Sequence, residues 1–388
     1  MKRVLILTPD FKIGGTNSSL LAFLEAIKNA PVKVDVFAFN QQGEYEESFR
    51  NYSIIQESLL LSSKIHSGGF IKRILHKVLR VILRMSDYIG LSLRPLALKI
   101  GGCLLKTKSN YDAVASFQES LSYELSHIPA KMRIAWIRSE YERYMKLLRG
   151  RDESGIYNRI DKIVCVSEFA KKSFCKVLPQ FSNKVVVVHN CLDVQAIRKL
   201  ASKEILDPLF ETSVFTIVSL GRIDPVKQFD RIPSIAKEIV NQTNIDFRWY
   251  IIGGAINGNM TDSEKDLRHK IHDDNVEKKV IVLAQKENPF LYISKADLFV
   301  HTSKSETYSR VVNEAFVLGV PVLANNYDCA PEFIKEGING YIRPVEQMAS
   351  FIAEIIENPS ALRVIRGNLN SFDTDNNTVI NKFLSLLA

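Results

Sequence analysis

Cysteine is scarce in this 388-residue chain: five residues, at 103, 165, 175, 191 and 329, odd in number, scattered, with no Cys-x-x-Cys. That argues against a disulfide or zinc framework and fits a reducing cytoplasm. No apolar run reaches the roughly 18 residues of a membrane-spanning helix. The opening run Val4-Leu5-Ile6-Leu7 is too short for a signal peptide, and Asp10 and Lys12 follow it. Short-period repeats and low-complexity tracts are absent. The single Asp-x-Asp, Asp373-Thr374-Asp375, lies in a polar segment near the carboxyl terminus. It reads as a turn or cap, so no metal and no cofactor are expected.

What is present is the composition of a soluble globular protein, 46% hydrophobic and 24% charged, in a chain long enough for two cores. The net charge of +8 is localised. Residues 64–108 hold ten Lys/Arg and one acid, Asp87, so this segment carries +9 and the remainder −1. Arg73, Lys77, Arg80 and Arg84 step by four, three and four, one stripe of a helix. Phe70, Ile71, Ile74, Leu75, Val78, Ile82 and Met85 fill much of the remaining circumference. The pattern suits a helix lying on an anionic membrane surface; the plainer alternative is a surface helix packed on its own domain. Nucleic acid is not expected, since aromatics are not interleaved with the charges.

Two α/β runs are legible. The first has strands at Val4–Leu7, Val32–Phe39, Ala113–Phe117, Ile134–Ile137, Ile163–Ser167 and Val185–His189, with helices at 17–28 and 168–178. The basic segment 64–108 reads as an insertion in it. A polar stretch near 192–212, containing Pro208, reads as a linker. The second run has strands at Phe215–Leu220, Trp249–Ile252, Val280–Ala284, Leu298–Val300, Val320–Ala324 and Tyr341–Arg343. Alternating strand and helix implies parallel sheets with ligands at the strands' carboxyl ends. The expected domains are 1–200 and 210–370.

The stretch His301-Thr-Ser-Lys-Ser-Glu306-Thr307-Tyr308-Ser309-Arg-Val-Val-Asn-Glu314-Ala-Phe-Val-Leu-Gly319 carries the most chemistry. Val311, Ala315 and Leu318 have helical spacing, and Glu314 shares their face. A carboxylate among aliphatics is costly unless something donates to it; a ribose diol could, and so could a salt-bridge partner. Glu306 precedes the helix, where Ser309 is placed to cap and first-turn N–H groups could seat a diphosphate. Gly221-Arg222-x4-Lys227 follows a strand, and its two cations could converge on one anion. Gly14-Gly15 and Gly253-Gly254 also follow strands, but a permissive loop explains either alone; no Gly-x-Gly-x-x-Gly or Gly-Lys-Ser/Thr occurs at the first.

Taken in order, Gly14-Gly15, His189-Asn190, Gly221-Arg222-x4-Lys227, Gly253, Asn288-Pro289, Ala296-Asp297, Glu306-x7-Glu314, Gly319-x-Pro321-Val322 and Glu332-x4-Gly337-x-Asn339-Gly340 resemble the retaining GT-B glycosyltransferases of family 4. The likeness covers nearly the whole chain, is densest at 215–345 and is thin at 40–130. It implies an α/β fold of two Rossmann-like domains facing across a cleft, with helix 372–388 packing back on the first. It implies a nucleotide-sugar donor, UDP- or GDP-linked, held mainly by the second domain. Arg222 and Lys227 match the diphosphate pair, Glu314 the ribose-binding glutamate, and Glu306 the glutamate near the donor sugar. Gly15 matches the glycine loop near phosphate and acceptor. The wider nucleotide-sugar set is Gly14, Gly15, Asn190, Gly221, Gly253, Thr307, Tyr308 and Ser309, with catalysis assigned to Glu306, Arg222, Lys227 and Arg138.

One position departs from the family. Where a histidine often follows the strand at 134–137, this chain has Arg138, which cannot act as a general base at neutral pH. In the site it would bind an anion; exposed, it is a surface cation. His189 reads as a strand-end residue. The expected activity is sugar transfer to a lipid-linked saccharide in capsule or lipopolysaccharide synthesis, at the inner face of the cell membrane. The rivals are a sugar-nucleotide epimerase of the same shape and a catalytically degenerate, membrane-associated scaffold that only binds nucleotide-sugar.

Overall fold

The structure is a computed structural model that describes residues 1–67, 69–108, 110–149, 152–204, 207–211, 213–254 and 260–388. The side chains of Lys106 and Lys108, in the basic segment, lie outside the described residues, as do linker positions 205, 206 and 212. Among the described residues the chain forms two compact units, 1–192 with 375–388, and 193–374.

The first unit is built on a seven-stranded sheet of β1 (Lys2–Thr8), β2 (Val32–Ala38), β3 (Ser53–Ile54), β4 (Ala113–Ser116), β5 (Met132–Ile137), β6 (Lys162–Cys165) and β7 (Val185–Val187). Every pairing is parallel, in the order β3-β2-β1-β4-β5-β6-β7. The run Val4-Leu5-Ile6-Leu7 is buried on both faces, as a central parallel strand requires. The carboxyl-terminal helix, Asn376–Leu386, belongs to this unit. Its Phe383 ring lies 5.1 Å from Phe23 and 5.5 Å from Trp136. Asp375 is the N-cap of that helix, its carboxylate accepting from Thr378 N–H at 2.9 Å.

The second unit has a six-stranded parallel sheet: β8 (Phe215–Leu220), β9 (Phe247–Ile252), β10 (Val280–Leu283), β11 (Leu298–His301), β12 (Val322–Ala324) and β13 (Gly340–Ile342). Its order, β10-β9-β8-β11-β12-β13, is the doubly wound arrangement, with its switch between β8 and β11. The first sheet switches between β1 and β4.

Two expectations need correction. The boundary falls at Leu192/Asp193 rather than at 200–210. The stretch read as linker contains a helix, Val194–Ala201, that is capped by Asp193 and packs on helices of the second unit. The segment 64–108 forms two helices, Phe70–Tyr88 and Arg94–Lys108, within the crossover from β3 to β4.

Candidate active site

In the second unit the polar residues gather on the loops after β8 and β11, either side of the switch point. The loop after β8 is braced by its own aspartate. Asp224 accepts from Val226 N–H at 3.0 Å and Lys227 N–H at 3.1 Å. The β11 loop is tied to it: Thr302 Oγ1 donates to the Lys227 carbonyl at 2.7 Å, and Lys304 N–H to Val226 at 2.8 Å. Glycines permit the approach. A Cβ on Gly221 would meet Lys227 Cε at 3.3 Å, and one on Gly253 would stand 2.0 Å from the Gly221 carbonyl oxygen.

This scaffold brings Lys227 Nζ to 2.5 Å from Glu306 Oε1. His301, the last residue of β11 and fully buried, has Nε2 3.0 Å from the same oxygen and 3.2 Å from Ser309 Oγ. Because Nε2 faces a carboxylate, it carries the proton. Burial pushes the imidazole below its usual pKa, against the opposing pull of Glu306, so the ring is neutral. Burial alone would raise the Glu306 carboxyl; the His301 hydrogen bond and the Lys227 charge outweigh it and bring it down to about 2. Glu306 is therefore a fixed carboxylate. His301 went unremarked in the sequence, although a histidine closing a strand five residues before the glutamate was a readable signal.

The helix beyond, Arg310–Val317, has Ser309 at its N-cap position, but no side chain caps it. The expected Ser309 cap is absent because the hydroxyl turns to His301. Glu314 does share a helical face with Val311, Ala315 and Leu318, but that face is not the one the helix buries most. Val312 to Val317 are all buried, while Val311 and Leu318 are half-exposed. Glu314 is buried and accepts from Arg310 Nη2 at 2.9 Å, the salt-bridged alternative. Arg222 is 86% exposed and pairs with Asp224 at 3.2 Å, so it does not share an anion site with Lys227 here. Thr307 and Tyr308 are half-buried, the Tyr308 ring edge-on to Phe333 at 4.7 Å.

In the first unit, Gly14 and Gly15 open the helix Gly15–Ile27 after β1, and no side chain caps it. A Cβ on either would meet nothing within 4 Å. The loop is held by buried Asn17, which accepts from Thr8 Oγ1 at 3.0 Å and donates to the Lys12 carbonyl at 2.8 Å. Arg138, at the end of β5, is half-buried. Its Nη2 donates to Asn190 Oδ1 at 2.8 Å, and its guanidinium lies 4.6 Å from the centre of the Phe117 ring. Buried Glu119 accepts from the Arg138 N–H at 2.9 Å and from the Ser139 hydroxyl. Arg138 is thus neither a loose surface cation nor a base; it is clamped at the carboxyl edge of its sheet. Two residues named from the sequence, Arg138 and Asn190, meet there.

The family model for glycosyl transferases group 1 matches residues 203–367. That for Glycosyltransferase Family 4 matches residues 13–196, so the two together cover most of the chain. The chain belongs to the group 1 glycosyltransferases.

A relative from Klebsiella pneumoniae, an uncharacterized 41.2 kDa protein in the cps region, is 30% identical over 45% of each chain, so the match spans under half of that relative's length. The alpha-1,3/1,6-mannosyltransferase alg-2 of Neurospora crassa is 25% identical over 88% of this chain and 79% of its own. Among solved structures, Anabaena HepE in complex with UDP and glucose superposes with TM-score 0.72 at 17% identity, over 100% of this chain and 99% of that one. The lipopolysaccharide outer core galactosyltransferase WaaB superposes with TM-score 0.69 at 13% identity, over all of both chains. At such identities the superpositions speak for fold alone, and the fold is GT-B: two Rossmann-like domains.

Proposed function

We propose that this glycosyltransferase moves a sugar, with retention, from a UDP- or GDP-sugar to a lipid-linked saccharide in capsule or lipopolysaccharide synthesis, without a metal. The observation that carries the reading is the Lys227–Glu306–His301 cluster at the switch point of the second sheet, beside the start of the helix Arg310–Val317, whose N-cap residue Ser309 turns its hydroxyl to His301. In this reading the diphosphate sits against the first-turn N–H groups of that helix and Lys227, and Arg222 swings from Asp224 onto it. Glu314 takes the ribose hydroxyls. Glu306, ionised throughout, faces the donor sugar. As the C1–O bond to the diphosphate breaks, charge grows on the leaving oxygens, where fixed cations and amide dipoles stabilise it. The sugar becomes oxocarbenium-like, the acceptor oxygen bonds to C1 on the face the phosphate leaves, and its proton passes to the leaving phosphate.

The cps-region relative, the alg-2 mannosyltransferase and the WaaB likeness support a glycan acceptor; HepE with UDP supports the donor class. In this reading Arg138, with Asn190, binds donor phosphate or an anionic acceptor, and the Gly14-Gly15 helix start approaches the same groups. The stripe Arg73, Lys77, Arg80 and Arg84 faces an anionic membrane at the cytoplasmic side.

One observation favours a second reading. Arg138 stands where the family often has a histidine and is committed to Asn190 and Phe117, which suits a scaffold that binds nucleotide-sugar without turnover. The test is release of UDP or GDP from candidate donors offered with membrane extract. Release above background supports the enzyme; donor binding without release for every donor supports the scaffold.

A further inference from the structure

The helix Phe70–Tyr88 is exposed along most of its length, and its residues sort into three arcs. His76, Leu83 and Ser86 form a narrow buried stripe. The next arc holds Arg73, Lys77, Arg80 and Arg84, all exposed and none in an ion pair among the described residues. The third holds Ile71, Leu75, Val78, Ile82, Met85 and Ile89, spaced four, three, four, three and four apart, and all turned outward. Ile71 is 81% exposed and Ile89 68%. Leu91, in the turn that follows, and Leu96 and Ile100, on the next helix, are exposed as well.

This surface is not a loosely attached flap. His76 is hydrogen-bonded to the Leu59 carbonyl at 3.1 Å. Arg94 pairs with Glu124 at 2.5 Å. Gly101 and Gly102 bring the second helix so close that a Cβ on either would stand 2.7 Å from Leu61 or Pro129. The two helices are seated through His76, Leu83, Leu98 and Leu105, and a second set of aliphatic side chains is left facing outward. Water does not favour a contiguous apolar face of this size. A basic row that makes no ion pair among the described residues, although Asp87 and Glu124 act on Arg80 at longer range, fits lipid phosphates beside acyl chains. A symmetric contact with a second copy would bring two such rows to one interface.

We propose that the apolar face of the 70–104 hairpin inserts among the acyl chains of an anionic bilayer, with the basic row at phosphate level. This rests on the lipid-linked acceptor reading above and deepens it: hydrophobic insertion, rather than charge alone, holds the protein. No helix among the described residues is long and apolar enough to cross a membrane, so the insertion is shallow and in-plane.

The test uses the full chain with vesicles of phosphatidylcholine containing about 30% phosphatidylglycerol. Flotation should survive a rise from about 0.1 M to about 0.5 M NaCl, which screens charge but not insertion. In Ile82→Trp, fluorescence should be quenched by lipids brominated on the acyl chain, above the signal of the parent. Ile71→Ser/Ile82→Ser/Met85→Ser should lower the partition coefficient roughly 100-fold without moving the urea midpoint, since all three side chains are exposed. Three results would overturn insertion. Salt-stripped protein with an unquenched tryptophan leaves electrostatic membrane contact standing alone. No flotation at either salt removes the membrane reading itself. A dimer in sedimentation that the triple variant disperses assigns the face to a second copy.

Discussion

At the scale of single residues, Lys227 and Arg222 are both cations of one loop, yet their environments separate them. Lys227 is largely enclosed and paired at 2.5 Å, whereas Arg222 stands in solvent. An enclosed charge interacts more strongly with a diphosphate than a hydrated one does. Lys227→Ala should therefore lower kcat/KM by about 100-fold or more, and Arg222→Ala by nearer tenfold. Steady-state nucleotide release measures both, and equal losses would show that the unliganded geometry misleads. Protonation gives a second prediction. The Glu306 carboxyl, at about 2 when folded against 4.5 unperturbed, stabilises the fold above its unfolded pKa and loses that contribution as pH falls from about 4.5 toward 2. The full difference amounts to up to about 3 kcal/mol. His301 acts in the same direction at higher pH: a buried neutral imidazole favours unfolding once pH drops below the ordinary histidine value of 6.5. Urea midpoints of wild type should thus decline from about pH 6.5 downward, and His301→Gln should flatten the upper part of that decline.

At the scale of elements, the loop after β8 depends on two glycines with different obligations. The Gly253 Cβ would strike backbone, the Gly221 carbonyl oxygen at 2.0 Å; the Gly221 Cβ would press on the flexible end of Lys227 at 3.3 Å. Gly253→Ala should cost about 2–3 kcal/mol of stability in the second unit, and Gly221→Ala under about 1 kcal/mol while still impairing turnover by displacing Lys227. Denaturation alongside activity separates the two effects. The same elements show what the sequence could and could not disclose. The run Val4-Leu5-Ile6-Leu7 in β1 was legible because buried parallel strands are near-continuous apolar runs. The glutamate helix was legible as a helix, but its facing was not: from Val312 onward it is enclosed on all sides, so spacing had no solvent side to define. Ser309 looked like a cap because spacing cannot show that a histidine eight residues earlier competes for its hydroxyl. The Arg138–Asn190 contact joins residues 52 apart, one following β5 and the other following β7, and local pattern contains nothing of such a pairing. The boundary at 200–210 failed for a different reason: the stretch 192–212 was read as a linker, yet Val194–Ala201 is a helix with Ile197 buried in its own unit.

At the scale of the whole molecule, the chain returns to its first unit at the end. Residues 375–388 cross back from the second unit and place Phe383, fully buried, in contact with Phe23 and Trp136. The last helix therefore completes the core of the unit that the first strand began. Phe383→Ala removes an aromatic side chain from that cluster and should cost about 3–5 kcal/mol. The chain's two tryptophans make this measurable unit by unit, since Trp136 lies in β5 of the first sheet and Trp249 in β9 of the second, both buried. With the other tryptophan changed to Phe in each case, Trp136 fluorescence should show the first unit's transition at a markedly lower urea concentration in Phe383→Ala, with Trp249 as the reference for the second unit. Equal displacement of both signals would mean that the two units unfold as one cooperative body; no displacement of Trp136 would mean that the last helix contributes nothing to the core it touches.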